Sequence, residues 1–145
     1  MNLIESSKNE FLLEAPLEIL HSQSIEWLEE IEFWKDESAF FCKLIAQRSK
    51  KATPLLNTKQ AREVERDLIY ICAEKLDDLL LEVRSHEKFL FRIMNEDRID
   101  KQLYRSRHRT LAGKISDFEK EFRGMKKKIF QFVKIWKPVK VVRAS

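Results

Sequence analysis

Apolar residues recur every three or four positions along three long stretches of this chain, the spacing that lines one face of an α-helix. The first stretch follows Pro16, which suits a first helical turn because its missing N–H would be unpaired there anyway. Its stripe reads Leu17, Leu20, Leu28, Ile31, Trp34, Phe41 and Ile45, with Ser24 and Ser38 as small interruptions where helices approach closely. The spacing predicts a helix to about Ser49, closed by Ser49-Lys50-Lys51-Ala52-Thr53-Pro54, where cations meet the negative helix end. Asn57 or Thr58 then caps a second helix, with stripe Val64, Leu68, Ile71, Leu76, Leu79, Val83, His86, Leu90 and Ile93. Asn95-Glu96-Asp97 is the expected turn, although no Gly or Pro stands there and a continuous helix is the alternative. A third helix, from about Arg98 to Lys137, carries Tyr104, His108, Leu111, Ile115, Phe118, Phe122, Met125, Ile129, Phe132 and Trp136. Its alternation of threes and fours is the heptad signature of long packed helices.

Three helices of similar length with short connections imply an all-α, up-down-up antiparallel bundle over residues 16–137. Residues 1–15 read as a partly ordered N-terminal segment, whose Phe11-Leu12-Leu13 can pack as a short extra helix in a four-helix-bundle-like manner. Residues 138–145 read as a short basic tail.

Composition agrees with this picture. Gly occurs twice and Pro three times in 145 residues, which favours long uninterrupted elements over turns. Hydrophobic residues are 43% and charged residues 36%, enough of the first to build a core. No apolar run reaches the roughly 18 residues of a membrane span. The N-terminus lacks the basic-then-apolar layout of a secretory signal, so a cytoplasmic protein is expected. Cys42 and Cys72 fall inside helical patterns without metal spacing and read as reduced, packed thiols.

Charge is strongly uneven. Residues 1–47 hold 3 basic and 10 acidic side chains, residues 48–97 hold 10 of each, and residues 98–145 hold 15 basic and 4 acidic. In an up-down-up bundle the first and third helices lie side by side, so the simplest role of the basic helix is internal pairing with the acidic one.

Folding back at the two turns sets His21 opposite His86, and His86 opposite position 107, beside His108. Glu18 and His21 form Glu-x-x-His, and Glu82 and His86 share a face. Bundle metal sites use such inward-facing groups, so His21, His86, His108, Glu18 and Glu82 are candidate ligands for iron, zinc or manganese. Against this, the third helix offers no acid near His108, only Arg105, Arg107 and Arg109. The plainer reading needs no cofactor: His86 and His108 hydrogen-bond each other or Glu82, as a polar layer that fixes helix register.

Two surfaces stand out. Arg98, Lys101, Arg105 and Arg109 share a face, and with Lys126-Lys127-Lys128 they suit electrostatic contact with nucleic acid; no helix-turn-helix, zinc-finger or RNP motif accompanies them. Phe33, Phe40, Ile69, Tyr70, Phe130 and Val133 are apolar beyond what one stripe per helix requires. The N-terminal segment, a second copy or a partner helix is expected to cover them, self-association being preferred. Gly113 and Gly124 lie eleven apart on one face of the third helix and suggest a close neighbour or a bend. Gly-rich phosphate loops, GxSxG and HExxH are all absent, so the sequence favours a non-enzymatic, coiled-coil-like bundle that binds itself or another protein.

Overall fold

A computed structural model of the chain describes residues 16–51, 58–94 and 98–135. The Phe11-Leu12-Leu13 segment, Asn57, the Asn95-Asp97 turn, Trp136 and the 138–145 tail lie outside the described residues, as do the side chains of Arg98, Phe132 and Val133. The described chain is a helical bundle without strands: α1 (Leu17–Lys51), α2 (Thr58–Tyr70), a π-helical turn (Ile71–Lys75), α3 (Leu76–Ile93) and α4 (Arg98–Ile135). The π turn joins α2 to α3 without a break, since Tyr70 and Leu76 on either side of it both keep right-handed helical backbone angles. No described helix is long and apolar enough to cross a membrane.

Packing divides into two compact units, and all three long helices contribute to each. The first takes residues 16–32, 78–94 and 98–118; the second takes 33–51, 58–77 and 119–135. In the first unit, Leu20, Phe89, Leu90, Ile93 and Tyr104 form a continuous core, with Leu17 and Ala112 against it. Glu82 of α3 meets Lys114 of α4, and His86 meets His108. Rising positions on one helix meet falling positions on the other, so the two are antiparallel. In the second unit, Trp34 packs edge-on to Phe122 at 6.5 Å between ring centroids, and Leu68, Ile71, Leu76, Met125 and Ile129 are buried. Lys35 of α1 pairs with Asp77 of α3 at 2.6 Å, and Lys126 of α4 with Glu37 of α1 at 3.3 Å.

The start of α1 follows from Pro16, whose carbonyl accepts the amides of Ile19 and Leu20 at 3.1 and 3.3 Å. The buried positions of α1 are Leu20, Ser24, Trp27, Ile31, Trp34, Ser38, Phe41 and Ile45, an unbroken alternation of four and three. This corrects two expectations. Trp27, not Leu28, occupies the stripe, and Leu28 is half-buried beside it. Ser24 and Ser38 are stripe members, not interruptions; each hydroxyl donates to the carbonyl one turn back, at 3.2 and 2.8 Å, so neither is left unpaired inside the bundle. In α4, Gly113 and Gly124 face open space, with nothing within 4 Å of an added Cβ, so neither permits the close approach their spacing suggested. Ala at either site is expected to raise stability by about 1 kcal/mol, through helix propensity alone, in chemical denaturation.

The π turn has a cause in the stripe itself. Ile71 and Leu76 are both buried although five residues apart, one more than an α-helical turn can align. Widening the turn absorbs that residue and returns α3 to register. Deleting the exposed Ala73 leaves a spacing of four, which an α-helix accommodates. This deletion should melt near the wild-type temperature by circular dichroism. Deleting the exposed Arg84 instead turns the rest of α3 by about 100° and should abolish the cooperative transition. Equal damage from both deletions would count against this account of the turn.

Candidate functional site

The most organised polar group lies in the first unit. His108 is fully buried and His86 is 6% exposed. Nε2 of His86 lies 2.8 Å from Nδ1 of His108, and Nε2 of His108 lies 2.7 Å from Oε1 of Gln23. An amide oxygen only accepts, so His108 carries its proton on Nε2. Its Nδ1 is then the acceptor, and His86 donates from Nε2. Tyr104 stacks on His86 with centroids 4.2 Å apart and planes 2° from parallel; Trp27 stacks on His108 at 4.5 Å. The two imidazoles are thus clamped between aromatic faces with their shared nitrogens fixed in direction.

Beside this pair, His21 hydrogen-bonds through Nδ1 to Oε2 of the buried Glu87. The other Glu87 oxygen is buried without a partner among the described residues. Among the described residues the Tyr104 hydroxyl, with Ser24 beside it, makes no hydrogen bond of good geometry. Burial and the neighbouring Glu87 push the Tyr104 phenol further up, so it stays protonated.

Burial also pushes His86 down from 6.5 to about 4, with the Arg107 guanidinium acting in the same direction. His108 falls to about 3, by burial first and then by His86. A proton added to His108 Nδ1 would face the His86 N–H, donor against donor. Both rings are therefore neutral at physiological pH.

The candidate metal ligands do not converge. His86 and His108 bind each other, His21 goes to Glu87, Glu82 pairs with Lys114 at 2.9 Å, and Glu18 is exposed. Among the described residues no group of three or more His, Cys, Asp or Glu is placed to hold a metal ion. His108 has both ring nitrogens engaged, an arrangement that suits a register-fixing layer. His86 does line an open cleft of about 500 Å³ with Arg107, Lys114, Ser85, Ser106 and Thr110. The Arg107 guanidinium lies over the Phe89 ring at 4.5 Å.

Of the basic face, Lys101 and Arg105 are half-buried and Arg109 is exposed. Cys42 and Cys72 are free and half-buried; burial, then Cys72 and Glu65, hold the Cys42 thiol in its protonated form. The apolar candidates are all in the second unit: Phe33 is 63% exposed, Phe40 60%, Phe130 54%, Ile69 51% and Tyr70 48%. Phe40 and Phe130 flank Phe41 at 5.6 and 5.7 Å, which links α1 and α4 in one aromatic surface with Phe33 a heptad before Phe40. Ile69 and Tyr70 project from α2, and the Lys75 ammonium lies 5.7 Å over the Tyr70 ring.

Sequence reasoning missed Gln23, Glu87 and Trp27. Trp27 was readable once Ser24 is accepted as a stripe position, and Glu87 stands next to the residue expected opposite His21. Comparison with protein-family models, curated proteins and solved structures finds no match to this chain.

The neutral imidazoles make stability depend on acid. The unfolded chain takes up protons on both rings near pH 6.5, while the fold resists until about pH 4 at His86 and about 3 at His108. Between those limits the unfolded state binds more protons, so this contribution is fully present above about pH 6.5 and is lost on acidification. Urea denaturation should show stability falling below pH 6.5 by on the order of 1 kcal/mol per pH unit for each histidine. His86→Phe keeps the stack on Tyr104 but strands His108 Nδ1. It should be less stable at neutral pH by about 1 to 3 kcal/mol and show a shallower acid slope. An unchanged slope would mean that His86 titrates alike in both states.

Proposed function

We propose that this protein acts without catalysis, as a helical bundle that self-associates through the aromatic surface of its second unit. The observation that carries the reading is the exposure of Phe33, Phe40 and Phe130, each more than half accessible on adjoining helices. Single exposed apolar residues are ordinary; three phenylalanines on one surface mark a contact site. The interior supports the same reading. In the histidine layer the shared nitrogens are engaged with each other and with Gln23, an arrangement that serves register rather than chemistry.

Fully burying a Phe side chain is worth roughly 1.5 to 3 kcal/mol, and these rings are already partly covered. Three of them offset the cost of association only in part, so contacts around them must supply the rest and the assembly is expected to be weak. Sedimentation at submillimolar concentration should give a species heavier than the 17.4 kDa chain. Phe33→Asp with Phe40→Asp should return it to that mass, with the helical circular dichroism signal unchanged. A wild-type chain at the single-chain mass throughout, or an assembly indifferent to both substitutions, would overturn the reading.

A further inference from the structure

The charges around the aromatic surface are unbalanced. Glu37 is held by Lys126 at 3.3 Å, Glu119 by Arg123 at 3.0 Å, and Glu121 by Lys75 at 2.6 Å. Among the described residues of α1 and α4 in this unit, Asp36 is the one carboxylate outside an ion pair, against Lys43, Lys120, Lys127 and Lys128. Lys43 follows Phe40 by three residues and Lys127 precedes Phe130 by three, so each cation sits one helical turn from an exposed ring. Among the described residues, internal pairing has taken up every acid of these two segments except Asp36 and left the surface aromatic and mainly cationic.

The complementary surface is on the same chain, in the other unit. From Leu17 to Trp34, α1 has no Lys or Arg. Glu18, Glu26, Glu29 and Glu32 are exposed there, and Ile19 and Ile25 are exposed among them, at 45% and 39%. Glu18, Ile25 and Glu32 are spaced by seven, as are Ile19 and Glu26, so aliphatic and acidic groups share one outward side. That is an acidic amphipathic face, the kind of helix surface that an apolar groove with basic edges accepts.

We propose that self-association, on the reading above, lays the acidic face of α1 from one copy on the cationic aromatic surface of another. The rings and isoleucines supply burial, while Glu26, Glu29 and Glu32 opposite Lys43, Lys120 and Lys127 choose the partner and its direction. The contact joins unlike surfaces. It closes when two copies exchange it reciprocally and otherwise grows into chains.

The test uses two full-length variants. In one, Lys43, Lys120 and Lys127 become Glu; in the other, Glu26, Glu29 and Glu32 become Lys. All six side chains are exposed, so both variants are expected to keep the wild-type circular dichroism spectrum. Each variant alone should sediment as a single chain. An equimolar mixture should assemble again, because every lost attraction is restored between unlike copies. Wild-type assembly should also weaken at least several-fold as salt is raised from low to molar concentration, a measurement that needs no variant. The proposal is overturned if both variants assemble like the wild type, if the mixture does not recover assembly, or if salt has no effect. Loss of assembly in the Phe33→Asp, Phe40→Asp chain under those same conditions would leave self-association standing and remove only this mode of it. A wild type that never assembles removes both.

Discussion

An α-helix turns about 100° per residue, so an edge that stays buried over about seven turns must step by three and four without a slip. The rest of the described structure answers to that constraint. It places Trp27 in the interior and moves Leu28 to the flank, although both are large and apolar. It admits Ser24 and Ser38 to the core, because their positions must be occupied and a hydroxyl can return its hydrogen bond to its own helix. It also forces the π-helical turn, the one place where the spacing fails by a residue and the backbone widens to recover it.

Inside that frame the histidine layer is a polar exception that the geometry makes tolerable. An uncompensated buried imidazole costs free energy, and a buried imidazolium costs far more. Here each ring is neutral, each shared nitrogen has a partner of the correct type, and one face of each imidazole lies on an aromatic ring. Such a layer adds little net stability, since apolar residues of similar volume would pack as well. What it adds is selectivity of register. Sliding α3 against α4 by one turn would leave His86 and His108 buried with no partner, whereas leucines would simply meet other leucines.

The sequence made the helices legible because their cause is local: periodicity, a proline at one start, few glycines. The facing of His86 and His108 was legible for the same reason, since two short turns fix which positions meet. The ends of the hydrogen-bond chain were not. Gln23 and Glu87 are polar residues that look solvent-facing in a one-dimensional reading, and only the side-chain directions of three helices together show that they point inward. The candidate metal ligands stay apart on the same ground. Residues brought to one level of a bundle are not thereby brought to one point, and His21 turns to Glu87 while Glu82 turns to Lys114. The π turn was visible as a gap of five between Ile71 and Leu76, but a gap alone does not say whether the chain widens, bends or breaks.

The uneven charge of the chain finds its meaning in what internal pairing leaves over. A bundle that used its acidic first helix only to neutralise its basic last one would join them through many carboxylate–ammonium contacts. Glu37 and Lys126 make such a contact, but Lys114 turns to Glu82 of α3, and the α4 acid Glu121 turns to Lys75. The carboxylates Glu18, Glu26, Glu29 and Glu32 stay in solvent on α1, and Lys120 and Lys127 stay in solvent on α4. Exposed single charges of this kind contribute little to folding. Set beside exposed isoleucines on one surface and exposed phenylalanines on the other, they gain a role in the self-association proposed above, where the two surfaces meet. One copy presents both, which makes a second copy a sufficient partner.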